Sequence, residues 1–124
     1  MNLAERVWPY REVDFHEDET GYVVWRPGTG RNVELLHIHT EERGKGHGRR
    51  LVYRMLDRLR DDPPYHSVFG FSRASNEEAH AFYVALGFQV QTVKGVYQDG
   101  RAVLFWGEYR SLVKRMEEWK RANP

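Results

Sequence analysis

The alternation and clustering of apolar positions along the chain predict nine elements. Tyr10–Phe15 reads as a first strand, followed by an acidic turn, HEDETG. Gly21–Arg26 reads as a second strand, GYVVW being apolar and aromatic and PGTG at 27–30 stopping it, so the two form a hairpin. Asn32–Thr40 (NVELLHIHT) is mostly apolar, the pattern of a strand inside a sheet. Leu51, Val52, Met55, Leu56 and Leu59 then recur at helical spacing with arginines on the other face, and Asp61-Asp62-Pro63-Pro64 ends that helix. Ser67–Ser72 is a short buried strand. Ser75-Asn76-Glu77-Glu78 has the form of a capping box, with Ser75 as N-cap and Glu78 reaching back. The helix it opens runs to Leu86, where Gly87 supplies a left-handed stop. Phe88–Tyr97 and Arg101–Tyr109 flank a QDG turn and read as a long hairpin. Ser111–Ala122 is a last amphipathic helix with Leu112, Met116 and Trp119 on one side.

The predicted order is β-β-β-α-β-α-β-β-α. This is an α/β chain with a mixed sheet, because the central β-α-β implies at least one parallel pair and the hairpins add antiparallel ones. At 124 residues, with no repeat, linker or low-complexity stretch, the expectation is one domain spanning 1–124.

Composition narrows the chemistry. The chain has no cysteine, which removes a disulfide framework, a zinc–thiolate site and a cysteine nucleophile. No run of about 18 apolar residues is present to span a membrane. MNLAERVWPY has no signal-peptide pattern, so a cytoplasmic protein is expected. Net charge is +1, but its distribution is uneven. Residues 43–60 carry seven bases (Arg43, Lys45, Arg49, Arg50, Arg54, Arg58 and Arg60) against the single acid Asp57. Such a run is either a solvated helix face or an anion site.

The loop RGKGHG at 43–48 lies between a predicted strand and a predicted helix. Glycines there let the backbone turn tightly and approach a ligand. The first amides of a helix have no intrahelical partner and carry the positive end of the dipole, so they accept phosphate oxygens. The loop is neither a P-loop nor a dinucleotide fingerprint, since no GxxxxGK-Ser/Thr occurs and Arg49 stands where GxGxxG needs glycine.

ELLHIHTEERGKGHGRRLV at 34–52 resembles motif A of the GNAT superfamily of N-acyltransferases: a strand, then (Gln/Arg)-x-x-Gly-x-(Gly/Ala), then a helix. Here it reads Arg43-x-x-Gly46-x-Gly48. NEEAHAFYVALGF at 76–88 resembles motif B through Asn76, Ala79, Phe82, Tyr83, Leu86, Gly87 and Phe88. The two occur in the family's order and separation, and the resemblance covers roughly residues 10–110. It implies acetyl-CoA as co-substrate, no metal, and acetyl transfer to an amine. The backbone amides of Arg43, Gly44, Lys45, Gly46, His47 and Gly48, and of Arg49, would cradle the CoA pyrophosphate. The backbone of Ile38 would pair with the pantetheine arm, and its amide would polarise the thioester carbonyl. Asn76 would hold the pantetheine, and Tyr83 would protonate the leaving thiolate.

Taken alone, Tyr83 reads more readily as a core tyrosine than as an acid; its place in motif B reverses that and implies a side chain partly exposed in a cleft. Asn76 alone reads equally as an early helix residue beside its Ser75 cap. His37 and His39 point to one side of a strand, but no third ligand stands at a convincing spacing, so a metal site is not expected. His37 is a candidate base because histidine titrates near neutral pH. Glu34 is the other candidate base. It lies four residues before Ile38, which on a regular strand puts it on the same face; it reads equally as a salt-bridged strand residue.

The family's usual fold begins with a strand and two helices that wall the acceptor site. Fewer than ten residues precede the Tyr10 strand here, so the fold is expected to be shortened at its N-terminus. The acceptor site would then be open, or completed by the last helix or by a second copy, giving a homodimer. Three functions are in contention. The lead is an N-acetyltransferase acting on a primary amine. The second is a non-catalytic acyl-CoA-binding or regulatory module. The third is a nucleic-acid-binding domain, which the near-neutral charge argues against.

Overall fold

The computed structural model describes residues 13–60, 64–97 and 100–124. The chain forms two compact units, Met1–Pro64 and Tyr65–Pro124.

In the first unit, β1 (Asp14–Asp18), β2 (Gly21–Pro27) and β3 (Asn32–Thr40) precede α1 (His47–Leu59). The first strand lies further along the chain than its composition suggests, and part of the predicted Tyr10–Phe15 span falls outside the described residues. Pairing with β2 decides this, because the register runs from Asp14↔Trp25 to Asp18↔Gly21. The acidic stretch is therefore strand, and only Glu19 and Thr20 turn. Asp18 closes the turn: its Oδ1 accepts the Thr20 amide at 2.8 Å and the Thr20 hydroxyl at 2.5 Å. The hydroxyl bond, joined by His16, holds the carboxyl down at about 2.

β3 has the predicted bounds but not a regular pleat. Val24 pairs with His37 and Trp25 with Leu35, leaving Leu36 as an extra residue, a β-bulge. Cross-strand partners share a face, so the bulge reverses the alternation of β3 on either side of it. Ile38 pairs with Val23, whereas Glu34 pairs with Arg26. Residues 23 and 26 of β2 point to opposite faces. The expectation that Glu34 shares a face with Ile38 therefore fails, and Glu34 lies instead with Val24, His37 and Tyr22.

α1 covers the other face. Its stripe of Leu51, Val52, Met55, Leu56 and Leu59 is buried, as the spacing predicts. The Arg58 guanidinium lies 5.3 Å from the Trp25 ring and pairs with Asp14 at 3.0 Å. Its other terminal nitrogen donates to the Phe15 carbonyl, clasping the end of α1 to the β1–β2 hairpin.

In the second unit, β4 (Ser67–Arg73) and α2 (Glu77–Leu86) are followed by β5 (Gln89–Tyr97), β6 (Gly100–Glu108) and α3 (Tyr109–Ala122). β6 pairs antiparallel with β4 and with β5. The full order, β-β-β-α-β-α-β-β-α, is the predicted one, and the chain is α/β.

α2 starts one residue later than its capping pattern suggests. Asn76, not Ser75, is the N-cap, and its Oδ1 accepts the Ala79 amide at 3.1 Å. That places Ala79 rather than Glu78 at the third helical position. The C-terminus is as predicted. Gly87 is left-handed (φ +101), with its amide bonded to Val84 O at 3.0 Å and the Phe88 amide to Tyr83 O at 3.0 Å. This pair of bonds, with Phe88 packed edge-on to Tyr83, is a Schellman motif.

α3 packs on β6, starting two residues earlier than its stripe suggests because the Tyr109 amide donates to His66 O at 2.8 Å. Leu112 and Met116 are buried and Trp119 is half-buried. The apolar stripe of α3 is thus largely covered within its own chain. Among the described residues no helix is long and apolar enough to cross a membrane.

Candidate cofactor loop and transfer residues

The loop between β3 and α1 has the geometry of an anion cradle. Gly44 and Gly46 both adopt left-handed backbone conformations, φ +75 and +76. A Cβ built on either would meet nothing within 4 Å, so the loop presents open space above them. Gly46 is the N-cap of α1, yet no side chain caps the helix and its first turn contains no acid. The amides of residues 44 to 48 have no hydrogen-bond partner among the described residues. Five consecutive unpaired donors on a helix's positive end form a site for an anion with several oxygens. Arg43 and Lys45 are exposed beside it. Arg49 instead lies along α1, donating from Nη1 to Tyr53 Oη at 3.2 Å. His47 adds an unexpected feature: its Nδ1 is buried without a partner at the first position of the helix.

On β3, the face created by the bulge gathers polar groups. Glu34 is not isolated there: its Oε1 accepts Arg26 Nε and Nη2, each at 2.9 Å. His37 is exposed and His39 half-buried. Both rings stack on Tyr22, each with its centroid 5.4 Å from that of the tyrosine. Tyr22 is itself buried and was not singled out from sequence, although its position opposite His39 follows once the β2–β3 register is known. His39 Nε2 lies 3.5 Å from Glu41 Oε1. Among the described residues no three histidine, aspartate or glutamate side chains converge as a metal site.

In the second unit, Asn76 has its side-chain oxygen committed to the cap of α2. Tyr83 is buried, at 8% exposure. Its ring stacks on Phe105 (centroids 3.6 Å apart, planes within 9°) and meets Phe82 and Phe88 edge-on. The expectation of a partly exposed tyrosine is not met: the ring is part of an aromatic core.

Comparison with solved structures identifies this architecture. A GNAT-family protein from Desulfovibrio desulfuricans superposes with a TM-score of 0.68 at 20% identity, covering 79% of this chain and 69% of its own. Ard1 from Thermoplasma volcanium gives 0.62 at 26% identity, covering 72% and 62%. A GNAT acetyltransferase from Elizabethkingia anophelis, with acetyl-CoA bound, gives 0.64 at 17% identity, covering 72% and 68%. The chain thus spans between about three-fifths and seven-tenths of these structures. These superpositions show the fold. The family model described as the acetyltransferase (GNAT) family matches residues 9–88, and the chain belongs to that family. No curated protein matches it.

Proposed function

We propose that the chain is a cytoplasmic N-acetyltransferase that binds acetyl-CoA and passes the acetyl group to a primary amine by direct attack. The observation that carries this reading is the run of unpaired amides at residues 44–48 around two left-handed glycines. A pyrophosphate supplies the oxygens that such amides need. The acetyl-CoA bound to the Elizabethkingia structure supports acetyl-CoA as the donor.

In this reading the amides of Arg43, Gly44, Lys45, Gly46, His47, Gly48 and Arg49 hold the pyrophosphate. The backbone of Ile38 pairs with the pantetheine, and its amide polarises the thioester carbonyl. The Asn76 amide nitrogen binds the pantetheine, and Tyr83 protonates the departing thiolate. The amine's proton leaves by the face of β3 that carries Glu34 and His37. Glu34 is engaged by Arg26, which favours the histidines of that face over the carboxylate. Alignment of two bound reactants supplies much of the rate, and no covalent enzyme intermediate is required.

The burial of Tyr83 favours a second reading, a non-catalytic acyl-CoA-binding module in which that ring only packs. The test is a panel of primary amines, from polyamines to peptides with free N-termini, incubated with acetyl-CoA and followed by thiol release. Amine-dependent thiol release supports transfer. Tight acetyl-CoA binding with no release for any amine supports the binding module.

A further inference from the structure

We infer that His39, oriented by Glu41, is the general base that takes the proton from the attacking amine. The inference rests on the acetyltransferase reading above and goes beyond it by choosing the group and the atom. Four observations converge, all within the first unit. The β2–β3 register, with Tyr22 opposite His39 and Val24 opposite His37, puts both histidines on the face of the sheet that carries Tyr22. The buried Tyr22 ring fixes both imidazoles by stacking, so neither ring is a loose surface side chain. For His39 the structure also supplies an orienting carboxylate, Glu41 Oε1 at 3.5 Å from Nε2. The side chain of His39 is 41% exposed, so a substrate can reach it.

A carboxylate facing one imidazole nitrogen keeps the proton there and leaves the lone pair on the other, the arrangement in which a histidine serves as a base. Closing of Glu41 onto Nε2 as substrate binds would hold the Nε2–H tautomer and leave Nδ1 as the basic atom. The separation from Glu41 is long for a hydrogen bond, as such contacts commonly are before substrate binds. The groups facing His39 are Tyr22 on β2 and Glu41 on its own segment, and His37 stacks on the same Tyr22 ring. The Glu41 amide donates to Thr20 O at 3.0 Å, which fixes the backbone of the carboxylate against the β1–β2 turn.

The step balances as follows. The ammonium form of the acceptor first loses one proton to water. The neutral nitrogen then bonds to the thioester carbon while its second proton passes to His39 Nδ1. The C–S bond breaks with its electron pair on sulfur, and the thiolate takes a proton from the acid assigned above to Tyr83. His39 returns its proton to water and water reprotonates the Tyr83 phenolate, so one proton is released net for each ammonium acetylated. Glu41 acts through His39 and is a positioning residue.

The experiment uses the whole chain with acetyl-CoA and glycinamide, whose amine resembles a peptide N-terminus. Thiol release is followed from about pH 5.5 to 9, and acetyl-CoA binding is measured by calorimetry in parallel. For His39→Ala, kcat is expected to fall by about 10²–10⁴-fold. Acetyl-CoA affinity should be unchanged, the histidine limb of the pH profile should vanish, and added imidazole should restore part of the rate. Glu41→Gln should lower the plateau while keeping that limb, and Glu41→Asp should recover part of the loss. The inference is overturned if His39→Ala keeps the wild-type profile, if the limb vanishes with His37→Ala instead, or if wild-type protein that binds acetyl-CoA fails to acetylate glycinamide. Failure to bind acetyl-CoA at all would instead refute the underlying reading.

Discussion

Gly46→Ala separates what the glycine loop does for the fold from what it does for a ligand. Gly46 has φ +76, a region that costs an L-residue roughly 1–2 kcal/mol. The added Cβ meets nothing within 4 Å, so no repacking cost follows, and alanine's smaller unfolded-state entropy returns roughly 0.4–1 kcal/mol. The net destabilisation is about 1 kcal/mol, a fall in Tm of roughly 3–6 °C for a chain of this size. The same methyl projects into the space where phosphate oxygens would approach the amides. Losing one hydrogen bond to a charged group costs about 1.5–3 kcal/mol, or about 10- to 100-fold in Kd. Gly30→Ala is the control, because Gly30 is left-handed (φ +68) with only an Asn32 side-chain atom at 4.0 Å, but lies in the β2–β3 turn. Thermal melts and acetyl-CoA calorimetry on both variants check the expectation: similar loss of Tm, with binding weakened only in Gly46→Ala. Unchanged affinity in a folded Gly46→Ala protein would refute the cradle.

Three further outcomes are expected. Tyr83→Phe keeps the ring stacked on Phe105, so the protein should still fold and bind acetyl-CoA, while kcat falls by roughly 10- to 10⁴-fold in the thiol-release assay. Met116→Ala removes a fully buried side chain of α3 and should cost about 2–5 kcal/mol in urea denaturation. Asp18, held at about 2 against an ordinary 3.8, stabilises the folded chain above pH 4 and loses that contribution as pH falls from about 4 towards 2. Asp18→Asn should therefore flatten the acid limb of a Tm-versus-pH curve and lower the plateau above it.

What sequence could show depended on whether a local pattern set the structure. The α1 stripe, the bounds of β3 and the Gly87 stop are local features, and all three hold. The bulge at Leu36 is not local. It is fixed by the register with β2, and counting four residues from Glu34 to Ile38 assumes an unbroken pleat. Ser75 and Asn76 are both good N-caps, and the choice fell to the geometry of the preceding turn, where the Asn76 amide bonds Arg73 O at 3.0 Å. Tyr83 belongs to motif B, but its burial against Phe105 comes from a strand about twenty residues downstream, which no local pattern reveals. The stacking of His37 and His39 on the Tyr22 ring was hidden for the same reason. The loop glycines were legible because positive φ and ligand approach are both written in residue type.

Direct acetyl transfer is tested most sharply by rapid quenching with acetyl-CoA labelled in its acetyl carbon, followed by mass spectrometry of protein and amine together. All transferred label is expected in an amide on the amine, at one free CoA thiol per amide, with none on the protein at any time. Label accumulating on a protein side chain and then passing to the amine, or label remaining on CoA whatever amine is supplied, would contradict it.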